Sequence, residues 1–345
     1  MKSIFSALKY LAMLGLGVFI FYIAFRSLDF DKARKEIYNI QYTFIFIAFV
    51  AAVLSHWSRA VRWNLLIKPM GYKTSDFNSF LAVMIGYLAN MGLPRMGEIT
   101  RCIVVNRTNK VPVEKLIGTV IVERVIDMIC LLIILFFTLI LEFDKLRVFF
   151  VDNLGNILSA NSAKLLSATV ILITVSFLAL SILLAIVIWK KYKDAKLILN
   201  IRRFLVGLVE GVKSLRQIEK LWLFVFHSLL IWSMYYLQIY ICFFALGATE
   251  HLSAVAALSV LVMGSFGMVV PTPAGVGSYD VAVATTLKLY GIADEGAKTF
   301  ALVAHVFQFA VVILIGSLSY LYLTLNFRKI KADEQPLTEN TAEAL

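Results

Sequence analysis

The stretch IGTVIVERVIDMICLLIILFFTLIL, from Ile117 to Leu141, decides the class of fold. A helix needs roughly 17–25 predominantly apolar residues to cross the ~30 Å hydrocarbon slab of a bilayer, and this run has both the length and the composition. Three charged side chains interrupt it: Glu123, Arg124 and Asp127. Each such group at the centre of a helix in lipid costs roughly 2.5–3.5 kcal/mol on insertion scales, so its presence needs a reason. Glu123 and Asp127 are four residues apart and share a helix face, while Arg124 is three from Asp127. The triplet is either an internal salt-bridge clamp or part of a working site, and both readings stay open.

The rest of the chain has the same character. Of 345 residues, 60% are hydrophobic and 16% charged, with a mean hydropathy of +0.84. Soluble domains run near 45–50% apolar and about 25% charged, and no core at this chain length would hide runs such as Val170–Trp189. The net charge of +11 does not point to nucleic acid, because the basic residues sit between apolar runs, where cytoplasmic loops collect Lys and Arg. Cys102, Cys130 and Cys242 are dispersed, with no CxxC spacing. His56, His227, His251 and His305 are scattered, so no metal site and no cofactor are expected. Each cysteine reads as a small buried hydrophobe. Lys2 and Lys9 precede the apolar run Tyr10–Phe25, which lacks a small-residue cleavage site and reads as an uncleaved first span.

Six segments are long and apolar enough to cross: about 8–25, 42–66, 117–141, 165–189, 221–246 and 299–326. Residues 190–220 hold nine Lys and Arg against three acidic residues and belong in the cytoplasm. Residues 142–164 balance three against three and belong outside. Counting from these anchors places both termini in the cytoplasm of a multi-pass protein of the cytoplasmic membrane. Residues 1–326 form the membrane domain, and the mixed-charge stretch 327–345 reads as a disordered cytoplasmic tail.

Two segments do not fit as simple spans. Residues 76–110 start and end inside, and residues 252–292 start and end outside. Pro94, Pro271 and Pro273, with Gly92, Gly97, Gly275 and Gly277, forbid a continuous helix through either. Irregular backbone at membrane depth is tolerated only where it lines a cavity or is buried in protein. Each segment is therefore a re-entrant hairpin, or a pair of short spans, with a broken tip. Residues 42–141 then read span, hairpin from inside, span, and residues 221–326 read span, hairpin from outside, span. Such an inverted repeat puts a transporter's site near the midplane. The expected fold is an all-α polytopic membrane protein of six spanning helices, two re-entrant hairpins and an inverted repeat.

The first tip, Asn90-Met-Gly-Leu-Pro-Arg-Met-Gly-Glu-Ile-Thr-Arg101, frees backbone N–H groups and aims a helix N-terminus at whatever sits there. Arg95 and Arg101 add fixed charge and the planar fork that suits phosphate. Glu98 pairs with one of them or takes up a proton. The second tip, Pro271-Thr-Pro-Ala-Gly-Val-Gly-Ser-Tyr-Asp280, offers backbone N–H groups, the Thr272 and Ser278 hydroxyls and one carboxylate. Arg59 and Arg62, with His56, Trp57 and Trp63, close the second span and read as interfacial anchors.

Four motifs occur in order: R-x-x-R-W at 59–63, N-x-x-L-P-R-x-G-E-x-x-R at 90–101, E-R-x-x-D at 123–127 and P-T-P-x-G-x-G at 271–277. Over almost the whole chain they resemble the flippase-like family defined by the transmembrane region of lysylphosphatidylglycerol synthases. The resemblance implies a lipid-translocating membrane domain with two re-entrant elements. Ala274 stands where that family usually has glycine, and Asp280 where glutamate is common. A chain ending at Leu345 has no room for the soluble aminoacyl-transfer domain, so lipid aminoacylation is not expected.

The function these observations imply is translocation of a lipid with an anionic headgroup, a phospholipid or a polyprenyl-phosphate-linked sugar, and not covalent chemistry. Arg95 and Arg101 are expected to bind phosphate and the Pro271–Gly277 backbone to cap it. Glu98, Glu123 and Asp127 would order the arginines or carry a proton. The expected partner is the membrane lipid, with a second copy or a partner in envelope biosynthesis left open. Two rivals are a membrane enzyme acting on lipid phosphates and a non-transporting scaffold. Neither an Asp-rich Mg²⁺ run nor a P-loop supports enzymatic chemistry here.

Overall fold

A computed structural model describes residues 18–19, 21–22, 25–26, 30–93, 95–143 and 218–333. Most of the expected span 8–25, all of 165–189, nearly all of the loops 142–164 and 190–220, and the end of the tail lie outside them. Every regular element among the described residues is a helix, with no strand among them.

Helix α1 covers Phe30–Tyr38 and leads into α2, Tyr42–Ile67. A 3-10 turn, Lys68–Met70, ends at Gly71, whose φ of 84° puts it in the left-handed region that only glycine enters freely. Helices α3, Asp76–Gly92, and α4, Met96–Asn109, form the first hairpin. The span that opened the sequence reading is α5, Val113–Leu141. Next come α6, Leu221–Phe243, and the second hairpin of α7, Ala254–Val269, and α8, Ser278–Leu289. Helix α9 runs from Asp294 to Asp333. Among the described residues, four helices, α2, α5, α6 and α9, are long and apolar enough to cross a membrane.

The outward face of α5 shows why the chain needs lipid. Leu132, Phe136, Phe137 and Ile140 are all more than half exposed, a patch that water would not tolerate and a bilayer solvates. Leu116, Val120 and Glu123, on its other face, are buried.

The hairpins begin alike. Ser75 caps α3 by accepting the Asn78 N–H at 3.0 Å, and Ser253 caps α7 by accepting the Ala256 N–H at 3.2 Å. Eight consecutive residues of α3, Ser79–Gly86, are buried. A helix covered on every side is inside the bundle, not lying on a surface. At 12 residues, α8 is about 18 Å long, short of the hydrocarbon thickness. That length agrees with a re-entrant arm.

Packing follows a reciprocal scheme. Helix α2 lies along α6; α3 rests on α9 as α7 rests on α5; α4 packs on α5 as α8 packs on α9. Exchanging 42–141 with 221–326 maps the α2–α6 pair onto itself and each other pair onto its counterpart. One core joins the α6–α9 side through Phe243, Leu246, Val260, Val283 and Phe300, and another joins α2–α5 through Trp63, Val83, Cys102, Leu116 and Val120. Cys102 and Cys242 are buried free thiols, and Cys130 is partly covered. At one end, Lys68 Nζ lies 2.7 Å from Glu219 Oε2. The hydrogen bond from Lys68 holds the Glu219 carboxyl below its usual range; both groups are exposed, so the pair adds little stability.

Candidate functional site

Among the described residues, each hairpin carries a centre of buried polar chemistry. The first is built on α5. Glu123, fully buried, sits among three arginines: it accepts from Arg59 Nη1, lies 3.4 Å from Arg62 Nη2 and 3.0 Å from Arg101 Nη2. Asp127, one turn on, accepts from Arg59 Nη1 at 3.0 Å and Arg62 Nη2 at 2.7 Å. Two arginines three apart on α2 thus meet two carboxylates four apart on α5, and the rungs match across helices.

Neighbours take two of the remaining donors. Arg59 Nη2 donates to Tyr235 Oη at 3.2 Å, and Arg62 Nη1 to Ser228 Oγ at 3.2 Å, both on α6. The Arg101 guanidinium lies 4.7 Å over the Trp63 ring, whose indole N–H donates to Thr119 at 2.8 Å. Arg124 turns outward and pairs with Glu98 at 2.7 Å. The Nε–H groups of Arg59, Arg62 and Arg101 are buried and find no acceptor among the described residues. Four guanidiniums, at 59, 62, 101 and 124, face three carboxylates, at 98, 123 and 127, so one positive charge is left over.

The hairpin tip carries this centre inward. Asn90 Oδ1 accepts the Gly97 N–H at 2.6 Å, so α3 caps the start of α4. The two backbones touch: a Cβ added to Gly97 would stand 2.0 Å from the Gly86 carbonyl oxygen. Arg95 holds φ 66° at the start of α4, and its side chain is exposed. It does not join the buried network. Asn90, Gly97, Glu98, Arg101 and Arg124 line a pocket of about 10 Å³ with Val83, Gly86 and Tyr87, room for about one water. Pro94 lies outside the described residues.

The second centre is tied together differently. Thr272 and Ser278 are 3.1 Å apart, and Ser278 donates to the Gly267 carbonyl at 2.8 Å. Asp280 Oδ2 accepts the Gly277 N–H at 2.9 Å, and its Oδ1 lies 2.8 Å from His305 Nδ1 on α9. His305 Nε2 lies 3.0 Å from the Ala274 carbonyl oxygen. Ala274, at φ 49°, and Gly275, at φ 79°, are both left-handed, which explains a glycine preference at 274 in physical terms. Pro271 is exposed at the tip, and Pro273 and Gly275 form a 3-10 turn that packs on α3. Among the described residues, no hydrogen bond or ion pair links the two centres. A cavity of about 350 Å³ lies elsewhere, lined by Glu36, His251, Glu295 and Thr299 among others.

The structure therefore brings together Glu98, Arg101, Glu123, Arg124 and Asp127, and separately Thr272, Pro273, Gly275, Gly277 and Asp280. It corrects the reading of Arg59 and Arg62. They are 4% and 0% exposed, and they point into the bundle as counter-ions for α5 rather than anchoring at an interface. Glu98 pairs with Arg124, and Glu123 and Asp127 pair across to α2 and α4 rather than within α5. The matched spacings at 59/62 and 123/127 were the available signal. His305, a lone ionisable group in an apolar span, was another.

Residues 10–316 match the family described as the lysylphosphatidylglycerol synthase TM region. A UPF0104 membrane protein of Methanocaldococcus jannaschii is 24% identical over 332 residues, covering 91% of this chain and 95% of that one. Another, from Methanothermobacter thermautotrophicus, is 29% identical over 112 residues, about a third of each chain. No solved structure matches. With the broken hairpins, the charged α5 and a match over nearly its whole length, the chain belongs to the family of the lysylphosphatidylglycerol synthase transmembrane region.

Proposed function

We propose that this membrane protein translocates a lipid with an anionic headgroup across the cytoplasmic membrane, without covalent chemistry. One observation carries the reading: an arginine-rich network buried among membrane helices beside a broken hairpin, with one positive charge in excess. Charged side chains at membrane depth are expensive and mark pathways or substrate counter-ions. A phosphate or phosphodiester brings the missing negative charge and accepts from several N–H donors at once. Arg101 is its closest buried donor to the first tip. Arg95, exposed at that tip, would meet the headgroup first.

The reciprocal packing of the two halves supports an inverted repeat, and the loop charges favour hairpins entering from opposite faces with both termini inside. An enzyme acting on lipid phosphate is less well supported, because both ring nitrogens of His305 already face acceptors and neither is placed to activate water.

The test is reconstitution in vesicles carrying fluorescent phosphatidylglycerol, a polyprenyl phosphate or phosphatidylcholine, with an impermeant quencher outside. The expected outcome is faster exposure of an anionic lipid than in empty vesicles. Lysine keeps the charge but loses the two-pronged grip, which is worth on the order of 1.5–3 kcal/mol, or roughly 10- to 150-fold in binding. Arg95→Lys and Arg101→Lys should therefore slow translocation at normal abundance. Equal rates for both variants and the wild type would remove the phosphate clamp.

A further inference from the structure

Asp280 and His305 belong to a different piece of chemistry from the arginines. Both are buried, at 1% and 4% exposure. His305 Nε2 faces the Ala274 carbonyl oxygen at 3.0 Å, and a carbonyl oxygen can only accept, so Nε2 carries hydrogen. His305 Nδ1 faces Asp280 Oδ1 at 2.8 Å. Either Nδ1 also carries hydrogen and the ring is an imidazolium, or the carboxyl carries it and donates to a bare Nδ1. Both arrangements hold one proton more than a neutral imidazole beside a carboxylate. The geometry is that of a loaded pair.

Removing that proton sets two lone pairs against each other in a buried site. Asp280 cannot turn away easily, because its other oxygen holds the Gly277 N–H at 2.9 Å. A neutral ring keeps its one hydrogen on Asp280 and lets the Ala274 carbonyl go. Ala274 stands at φ 49°, a conformation unfavourable for any residue with a Cβ, so losing the His305 contact removes part of what holds it there. The turn it belongs to packs on α3, the arm of the other hairpin.

We propose that Asp280 and His305 form a proton-binding site that latches the tip of the second hairpin, and that release of this one proton to water unlatches it. Resting on the transport reading above, the proton is then the coupling ion for lipid movement. Among the described residues, no other ionisable side chain is hydrogen-bonded to the pair. Helix α8 adds Tyr279, whose ring is 4.7 Å from the imidazole and whose hydroxyl is 3.4 Å from Gln308 Nε2. Helix α6 adds Cys242 near Tyr279. Helix α7 and the Pro273–Gly275 turn have no titratable side chain. On α3, Asp76 is bonded to Asn64 and Tyr87 stacks on His56. Arg59 and Arg62 of α2 are held by Glu123 and Asp127. Glu36 of α1 lies by Thr299, well before His305 on α9, and Lys298 pairs with Asp294.

The test is hydrogen exchange of residues 268–282 in the full chain in lipid nanodiscs from pH 5 to 9, with rates corrected for intrinsic base catalysis. Wild type should lose at least tenfold in protection along a one-proton curve. Asp280→Asn places an amide N–H against Nδ1 of a neutral ring while its oxygen keeps the Gly277 N–H. It should stay protected across the range, and His305→Ala should be unprotected throughout. Protection in wild type that does not change with pH, or an Asp280→Asn curve like that of wild type, would overturn the proposal. If Asp280→Asn does not fold, the wild-type curve decides. Lipid translocation under an imposed pH gradient separates the two ideas. A titrating tip with no lipid movement keeps the proton site and ends the transport reading. Translocation indifferent to the gradient, with a tip that does not titrate, does the reverse.

Discussion

Glu123 is the residue on which the first centre turns, since three buried guanidiniums lie against one carboxylate. Glu123→Gln removes the charge and keeps the shape, so Arg59 and Arg62 are left with Asp127, and Arg101 loses its carboxylate contact among the described residues. Breaking a buried ion pair from one side costs about 3–5 kcal/mol. The variant should unfold well below wild type in a detergent melt, and adding Arg101→Gln should recover part of the loss. A second prediction concerns Ala274. Replacing alanine by glycine in a helix normally destabilises by roughly 0.5–1 kcal/mol, but left-handed alanine is itself strained by about 1–2 kcal/mol. Ala274→Gly should therefore melt at the same temperature or higher, and a clear drop would contradict the left-handed turn. At this scale the sequence was half legible. Glu123, Asp127 and Arg101 declared themselves because charge in an apolar run has no cheap explanation. Arg59 and Arg62 did not, because Arg and Trp at the end of a span look the same whether they face headgroups or the bundle. Only the position of the α5 carboxylates distinguishes the two.

The hairpins were legible as elements from their Pro and Gly breaks, and all four described spans lie where hydropathy puts them. Their ends were less so. Helix α5 begins at Val113 rather than 117, and α9 at Asp294 rather than 299. Each entry turn carries charge, Glu114 and Lys115 in one and Asp294 and Glu295 in the other. Hydrogen bonding thus continues where apolarity has stopped. The close contact of α3 and α4 gives a sharp test. Gly97→Ala must push the Gly86 carbonyl away, and forcing atoms into a packed contact costs typically 1–3 kcal/mol. Gly118→Ala, on α5 with nothing within 4 Å of the added methyl, should instead gain roughly 0.5–1 kcal/mol from helix propensity. Thermal melts of the two single variants read both signs, and equal shifts would mean the hairpin arms do not touch.

Across the whole molecule, the charge asymmetry of the loops makes a prediction about sidedness. With Cys102, Cys130 and Cys242 replaced, a cysteine at position 250 should react with an impermeant maleimide outside intact cells, and one at 219 only after lysis. Reaction at 219 in intact cells would reverse the topology. The repeat was visible as a pattern of spans and breaks; how the halves engage was not, since that depends on which buried faces meet. That engagement bears on how the chain is made. Helix α3 is covered by α9, where a Cβ added to Gly316 would meet Leu88 Cβ at 3.0 Å. At about 5–20 residues per second, the ribosome reaches Gly316 roughly 10–45 s after Leu88. For that interval the first hairpin waits in the translocon's neighbourhood without its cover, while α7 finds its support, α5, already in place. A cysteine at 88 should thus stay open to modification in nascent chains arrested before residue 294 and close in those extended past 326.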